Sequence, residues 1–147
     1  MFRRTGDAYE VFLVHPGGPC WSKKNEGAWT LPKGEYEDGE EPLSAAQREF
    51  HEETGFIAGG PFIELGSVHQ KSGKVVLAWA FEGDCDPDKL VSNTCDVEWP
   101  PRSKKRILIP EVDRGAWFSS EDAAIYIREE QRPLLLALEH QIGNRLG

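Results

Sequence analysis

Residues 34–56 read GEYEDGEEPLSAAQREFHEETGF and join a glycine-containing acidic loop to a segment of helical character. Pro42 stands where the first turn of a helix accepts a proline, and Gly55 stands where helices commonly end. This spacing predicts a helix over residues 42–54 with a loop on either side.

The predicted helix presents an apolar face and an acidic face side by side. At about 100° per residue, the apolar face carries Leu43, Ala46 and Phe50. The adjoining arc, roughly 100° wide, carries Glu49, Glu52 and Glu53. Like charges near a core favour a bound cation, and carboxylate oxygens suit a hard divalent ion such as Mg²⁺. The alternative is an acidic face that is simply solvated.

Arg48 precedes Glu52 by one helical turn. At this spacing its guanidinium can pair with the Glu52 carboxylate and fix the rotamer of that side chain. We therefore expect Arg48 to support the acidic face rather than to bind a ligand itself.

The rest of the chain alternates between strand-like and helix-like patterns. Strands are predicted over residues 11–14, 62–69 and 74–81, near 106–109 and around 116–118, and residues 1–4 resemble the tail of a strand. Further helices are predicted from residue 119 and over residues 133–142. This order favours a single α/β domain over residues 1–147, with a mixed sheet and helices on both of its faces.

The fixed positions of residues 34–56 follow the pattern G-x5-E-x7-R-E-U-x-E-E-x-G-U, where U is a bulky apolar residue. They are Gly34, Glu40, Arg48, Glu49, Phe50, Glu52, Glu53, Gly55 and Phe56. The segment resembles the Nudix box at every defined position. The resemblance implies the Nudix fold, a mixed β-sheet sandwiched between α-helices. It also implies a bound divalent metal, usually Mg²⁺ with Mn²⁺ as the alternative, and hydrolysis of nucleoside diphosphate derivatives.

The resemblance also assigns expected roles to residues of the box. Glu49 and Glu53 match typical metal ligands, Glu52 contributes a ligand or a base, and a backbone carbonyl near Lys33 and Gly34 completes the coordination. Which glutamate takes the proton from the attacking water stays open, because members of the family differ on this point.

Downstream residues supply further candidates. Many Nudix enzymes draw an extra glutamate from a late loop or strand; Glu98 is our candidate for a catalytic role and Glu111 is its rival. Lys33, Trp99, Arg102 and Lys104 are expected to bind substrate, the last two as part of a basic loop over residues 102–106. Trp21 and Trp29 share with Trp99 a loop-like context suited to stacking on a base.

Composition limits the partners of the chain. Its 25 acidic and 17 basic side chains give a net charge of -8, which argues against wholesale nucleic-acid binding. No long apolar run or secretory signal points to a membrane or to export, so we expect a cytoplasmic protein, monomeric or homodimeric. Cys20, Cys85 and Cys95 are neither an even set nor a metal-binding pair and are expected to be reduced.

The expected substrate is a nucleoside triphosphate or a dinucleoside polyphosphate. Residues 29–34, WTLPKG, resemble the matching stretch of diadenosine tetraphosphate hydrolases. Together with residues 98–103, EWPPRS, they resemble a bacterial group of NTP pyrophosphohydrolases. The alternative is a Nudix-fold module that binds nucleotides without cutting them. Such modules commonly lose a glutamate of the box, whereas this sequence retains all of them.

Overall fold

A computed structural model of the chain describes residues 1–33, 39–71 and 73–146. Its strands are β1 (Phe2–Thr5), β2 (Ala8–Pro16), β3 (Ile63–His69), β4 (Val75–Ala80), β5 (Thr94–Glu98), β6 (Arg106–Pro110) and β7 (Val112–Ser119). Its helices are α1 (Pro42–Thr54), α2 (Ser120–Tyr126) and α3 (Arg132–Leu146), with two short 3-10 turns at Pro87–Lys89 and Glu129–Gln131. None of the helices in these ranges has the length and apolar character that crossing a lipid bilayer requires.

The central sheet has the strand order β1-β2-β7, and both pairings in it are antiparallel. Strands β3 and β4 form one hairpin, and β5 and β6 form another. A parallel bridge between Phe2 and Glu82 joins β1 to the chain that follows β4. Parallel and antiparallel pairings thus occur together, and the predicted α/β fold with mixed pairing is confirmed.

Strand β2 is buried on both faces, which explains the unbroken apolar run at residues 11–14. Val11 and Leu13 belong to a core cluster that includes Ile127, which follows α2, and Leu138 of α3. The alternate positions, Phe12 and Val14, belong to a second cluster against which Phe56, just beyond α1, packs. The sheet is therefore covered on one side by α2 and α3, and on the other by the end of the box segment.

Helix α1 begins and ends where the sequence predicts. The Glu41 carboxylate caps its start by accepting from the Leu43 and Ser44 amides, and Gly55 ends it with a positive φ of 79°. A side chain at Gly55 would also approach the Val91 carbonyl oxygen to 3.1 Å, so both conformation and space favour glycine.

The packed face of α1 differs from the predicted one. Its fully buried residues are Ala45, Phe50 and Thr54, whereas Leu43 and Ala46 are half-buried. Thr54 can be buried because its hydroxyl donates to the Phe50 carbonyl at 2.6 Å and accepts from the Phe56 amide at 3.0 Å. This satisfied hydroxyl extends the contact face to the last turn, next to the carboxylates.

Strand β5 was not predicted from the sequence. Its residues, TCDVE, are half polar and exposed at alternate positions, so they lack the apolar run that identified the other strands. Pairing with β6 over its whole length makes it a strand, and this long-range contact is invisible in the local pattern. Strands β2 and β7 extend beyond their predicted ends for the same reason, because they pair with each other. The three cysteine thiols are free, as expected.

His15 is completely buried on β2 and connects two parts of the chain. Its Nδ1 lies 2.9 Å from Asp113 Oδ1 on β7, and its Nε2 lies 2.6 Å from the Lys24 carbonyl oxygen. The ring thereby ties the loop that contains Lys24 to the central sheet.

We predict that His15→Leu lowers the free energy of unfolding by about 2–3 kcal/mol, because it leaves the Lys24 carbonyl and the Asp113 carboxylate without their donor. His69→Leu, at an exposed position of β3, should change it by less than about 0.5 kcal/mol. Urea denaturation of both variants measures the difference. Equal stability of the two would show that the ring contacts contribute nothing.

Candidate active site

Glu53 is the most enclosed carboxylate of the box helix. Its Oε2 accepts a hydrogen bond from the Lys33 amide at 2.7 Å, which fixes the end of α1 against Lys33. The pKa of Glu53 is raised to about 8, chiefly by burial; the hydrogen bond from the Lys33 amide opposes this rise, and the charges of Glu111 and Glu49 contribute to it. A carboxyl group in these surroundings gains strongly from a nearby cation.

Arg48 connects the other carboxylates of the box. Its Nε and Nη2 donate to both oxygens of Glu40 at 2.9 and 3.0 Å, and its Nη1 lies 3.0 Å from Glu49 Oε1 and 3.1 Å from Glu52 Oε1. The Glu49 side chain is 13% exposed and that of Glu52 is 37% exposed. Burial raises the pKa of Glu49, and the Arg48 charge opposes that rise. The supporting role predicted for Arg48 is consistent with these contacts.

Glu111, between β6 and β7, lies with the box carboxylates. Its amide donates to the Asn93 carbonyl at 3.0 Å, and its carbonyl accepts from the Gly17 amide at 3.0 Å. Asn93 in turn donates its own amide to the Glu52 carbonyl at 2.8 Å. Its side-chain nitrogen, in the orientation that satisfies the amide, lies 3.2 Å from the same carbonyl and 3.3 Å from Glu111 Oε2. Asn93 therefore holds Glu111 to the end of α1.

Gly17 explains how Glu111 is approached so closely. A Cβ at Gly17 would collide with the carbonyl oxygen of Pro110, the residue that precedes Glu111. Only glycine lets the chain after β2 pass at this distance. The resulting contact fixes the backbone on either side of the Glu111 carboxylate.

A cavity of about 160 Å³ adjoins these groups. Acidic, basic and aromatic side chains meet at its wall, which is lined by Pro16, Trp21, Thr30, Lys33, Glu53, Glu111, Val112 and Arg128. Burial lowers the pKa of Lys33, Glu53 opposes this effect, and the positive charge of Arg128 adds to it. Carboxylates and cations are thus presented to one small space.

The candidates downstream of the box fall into two groups. Glu111 shares the cavity with Glu53, whereas Glu98 ends β5 and accepts from the Arg102 amide at 2.7 Å, within its own hairpin. Trp99 also serves this hairpin, since its amide donates to the Lys105 carbonyl. Arg102 and Lys104 are exposed in the same turn, both with positive φ values, of 64° and 63°. The roles assigned to these four residues stay predictions.

Lys33 lines the cavity, and its role in binding substrate stays a prediction; Gly34 lies outside the described residues. Trp21 is half-buried at the cavity wall, so it stays a candidate for substrate contact. Trp29 is only 4% exposed, and its indole N–H donates a hydrogen bond to Asn25 Oδ1 at 2.8 Å. Its predicted availability for base stacking is wrong, because its ring packs against His15 of β2 and Phe118 of β7, and its backbone pairs with Ile127.

The carboxylates of this region are the candidate ligands of a divalent metal. Within the described ranges, no three His, Cys, Asp or Glu side chains converge closely enough to form a ready-made metal site. Glu49 and Glu52 face Arg48, and Glu53 faces the Lys33 amide. The donors nevertheless fit Mg²⁺ or Mn²⁺ chemically, since the cluster offers oxygen ligands and the charge of Glu111 acts unfavourably on the ionised Glu53 carboxylate.

Two residues of this region had no role in the sequence analysis. Asn93 stands in a polar stretch without a motif, and only the fold brings it between Glu52 and Glu111. Arg128 follows α2 among other charged residues, and no local spacing connects it to the box. The one available signal for Arg128 was its position directly after the apolar Ile127, which is fully buried.

Comparisons with known proteins agree with this description. The family model described as NUDIX domain matches residues 1–138. An RNA pyrophosphohydrolase of Bartonella bacilliformis is 28% identical over 131 residues, which cover 79% of this chain and 72% of that protein. Nudix hydrolase 25 of Arabidopsis thaliana is 59% identical over 32 residues, a match that spans 22% of this chain and only 18% of the plant protein.

Two solved structures share the fold. A C. elegans Ap4A hydrolase in a binary complex superposes with a TM-score of 0.66 at 19% identity, covering 97% of this chain and 94% of that one. The NUDIX domain of Shewanella oneidensis NrtR, in complex with ADP ribose, superposes with a TM-score of 0.61 at 16% identity, covering 96% of this chain and 82% of that one.

A carboxylate-bearing helix closed by a glycine, packed on a mixed sheet beside a cavity of mixed charge, defines the class of site. The chain belongs to the Nudix family of hydrolases. The resemblance seen in residues 34–56 is therefore confirmed over nearly the whole chain.

We predict that Arg48→Ala lowers the turnover number by about 10–100-fold and changes the Michaelis constant less than about 3-fold, because it frees Glu49 and Glu52 without removing a substrate contact. Steady-state kinetics measures both constants. Arg4→Ala is the matched control, since Arg4, on strand β1, forms an exposed salt bridge with Glu82. An effect confined to the Michaelis constant would place Arg48 on the substrate instead.

Proposed function

We propose that this chain hydrolyses a pyrophosphate linkage of a nucleoside triphosphate or a dinucleoside polyphosphate, with Mg²⁺ as its metal and Mn²⁺ as the alternative. The observation that carries the proposal is the position of Glu53. This carboxyl, whose pKa is raised to about 8 chiefly by burial, experiences the charges of Glu111 and Glu49 and lines a cavity that Lys33 also lines. Such a site suits a cation and a polyanion together.

The metal would be held by Glu49, Glu53 and Glu111, with Glu52 as a further ligand or the base. When bound, a divalent cation neutralises phosphate oxygens and makes an attacking water more acidic. Arg48 keeps the carboxylates of Glu49 and Glu52 oriented toward each other. Lys33, with its amide on Glu53 and its ammonium at the cavity, is placed to donate to a phosphate oxygen.

Assignment of the proton acceptor follows from exposure. Glu52 is the more exposed of the two glutamates on Arg48 and so can exchange a proton with solvent after each turnover. Glu53, enclosed and fixed to the Lys33 amide, is better suited to a constant ligand role. We therefore propose Glu52 as the base, which removes the proton from the water that attacks phosphorus.

Support for the substrate class comes from the relatives and from charge. One relative is named an RNA pyrophosphohydrolase, and one structural neighbour is named an Ap4A hydrolase. Both names concern phosphate anhydrides of nucleotides. The net charge of -8 disfavours a long RNA and favours a small nucleotide, since binding a nucleic acid backbone depends on displaced counterions.

The basic loop over residues 102–106 stays part of this proposal as a contact for the far end of a phosphate chain. Arg102 and Lys104 are exposed, and Arg106 forms an exposed salt bridge with Asp96 at 3.2 Å. Positive φ values at two non-glycine residues give the turn an uncommon backbone shape, which is held by the Glu98 carboxylate.

A panel of substrates tests the proposal. The protein is incubated with Mg²⁺ and ATP, GTP, diadenosine tetraphosphate, ADP-ribose or a short 5′-triphosphorylated RNA, and the products are separated by ion-exchange chromatography. We expect cleavage of the triphosphates or the dinucleoside substrate, with the RNA and ADP-ribose cut at least about 10-fold more slowly. Tight nucleotide binding with no product from any of these would favour the non-catalytic module instead.

A further inference from the structure

Arg128 lines the cavity that contains Glu53 and Glu111, but it is not part of the box and has no role in the mechanism above. Its amide donates to the Trp29 carbonyl at 2.8 Å, and the preceding residue, Ile127, is completely buried. The backbone of Arg128 is therefore held firmly by the core while its side chain, 30% exposed, reaches the cavity wall.

The Arg128 guanidinium contacts an aromatic ring as well as a carboxylate. Its Cζ lies 4.8 Å from the centroid of the Trp21 ring, and the Lys24 ammonium lies 4.8 Å from the same centroid. Arg128 Nε also forms a salt bridge with Glu130 Oε1 at 3.6 Å, a distance that is long for a hydrogen bond. A cation held by a π face keeps its in-plane N–H groups available for an anion.

The loop that presents Trp21 is itself anchored. The Lys24 amide donates to the Trp21 carbonyl at 3.0 Å, and the Lys24 carbonyl accepts from buried His15 at 2.6 Å. Trp21 also donates its amide to the Gly18 carbonyl. The ring that holds Arg128 is therefore connected to β2 of the central sheet and does not depend on a bound ligand for its position.

Two positively charged side chains at this cavity repel each other. Arg128 and Lys33 both line it, and the charge of Arg128 is felt at the Lys33 ammonium. Like charges brought together beside a small, partly desolvated space repel each other, and an anion placed between them relieves the repulsion. Glu53 and Glu111 at the same cavity would repel an anion there, unless a cation bound by the carboxylates neutralised part of its charge.

We infer that Arg128, held against Trp21, binds a phosphate group of the substrate that lies beyond the phosphates at the carboxylates. This inference rests on the proposed function and names a residue that determines how long a phosphate chain the site prefers. The planar guanidinium can donate two parallel hydrogen bonds to one phosphate, which neither Lys33 nor Lys24 can do. A monophosphate too short to reach from the carboxylates to Arg128 gains nothing from it.

The test measures binding rather than turnover. Isothermal calorimetry with inorganic tripolyphosphate and orthophosphate, first in chelator and then with Mg²⁺, compares the unaltered protein with Arg128→Gln and Arg128→Lys. We expect Arg128→Gln to weaken tripolyphosphate binding by about 10-fold and orthophosphate binding by less than about 2-fold, with partial recovery in Arg128→Lys. Arg114→Gln is the control, because Arg114 also lies over a tryptophan, at 5.3 Å from the Trp29 centroid, without lining the cavity.

Three results would overturn the inference. They are unchanged tripolyphosphate affinity in Arg128→Gln, an equal loss in Arg114→Gln, and no tripolyphosphate binding by the unaltered protein in either condition. Circular dichroism of each variant checks that the fold is kept. Because no step of the test requires catalysis, a protein that binds tripolyphosphate through Arg128 but cleaves no nucleotide would contradict the proposed function alone.

Discussion

Glu53→Gln is expected to lower the turnover number by a factor on the order of 10²–10³ while the fold is kept. Glutamine has nearly the same shape and can still accept from the Lys33 amide, so the hydrogen bond at 2.7 Å survives the change. What is lost is the negative charge that a divalent cation requires. Steady-state rates with Mg²⁺ measure the effect. Glu139→Gln, at an exposed position of α3, is the control.

The same variant should also change how the free energy of unfolding depends on pH. Burial raises the pKa of Glu53 to about 8 in the folded chain, far above the ordinary glutamate value. Without metal, the folded state therefore keeps a proton that the unfolded state releases, and stability falls as the pH rises from about 4.5 to about 8. In chelator at pH 9, Glu53→Gln should be more stable than the unaltered protein. A lower stability there would mean that the buried charge is already compensated within the chain.

Glu111→Gln is expected to lower the turnover number by about 10²-fold, whereas Glu98→Gln should leave it within about 3-fold. Glu111 adds its charge to the surroundings of Glu53 and Glu49, while Glu98 caps the turn of its own hairpin. The two substitutions remove the same carboxylate charge and are thus a matched pair. Parallel measurement of their rates with Mg²⁺ decides between the two glutamates.

The contrary result would be equally informative. A large loss in Glu98→Gln with a normal rate in Glu111→Gln would mean that the β5–β6 hairpin moves toward the box when substrate binds. Thermal denaturation of both variants separates this outcome from loss of the hairpin turn, because only an unfolded turn lowers the melting temperature.

Local sequence signals were sufficient for the box helix. Pro42 and Gly55 set its ends, because one restricts the first turn and the other allows a positive φ. The carboxylate positions followed from helical geometry alone. The buried face was less predictable, since Thr54 is in the core through a hydroxyl bond to its own helix, which no apolar periodicity reveals.

Tertiary contacts account for what the sequence left open. The sequence predicts Glu98 as the candidate, with Glu111 as its rival, although each is a lone carboxylate far from the box. Only the hydrogen bonds through Asn93 and Gly17 bring Glu111 to the end of α1. Likewise Arg128 reaches the cavity through the pairing of its backbone with Trp29, a contact made across most of the chain. Such long-range pairing is not encoded in any local spacing.

We propose that the protein cleaves nucleotide anhydrides only when a divalent cation is bound by the carboxylates of α1 and Glu111. The most direct measurement strips the protein with chelator, removes the chelator, and follows cleavage of its best nucleotide substrate as Mg²⁺ is added back. We expect no cleavage before Mg²⁺ is added. As Mg²⁺ is added, the rate should rise to a plateau in the unaltered protein but not in Glu53→Gln. A full rate in the stripped protein, or an equal rise in Glu53→Gln, would contradict this proposal.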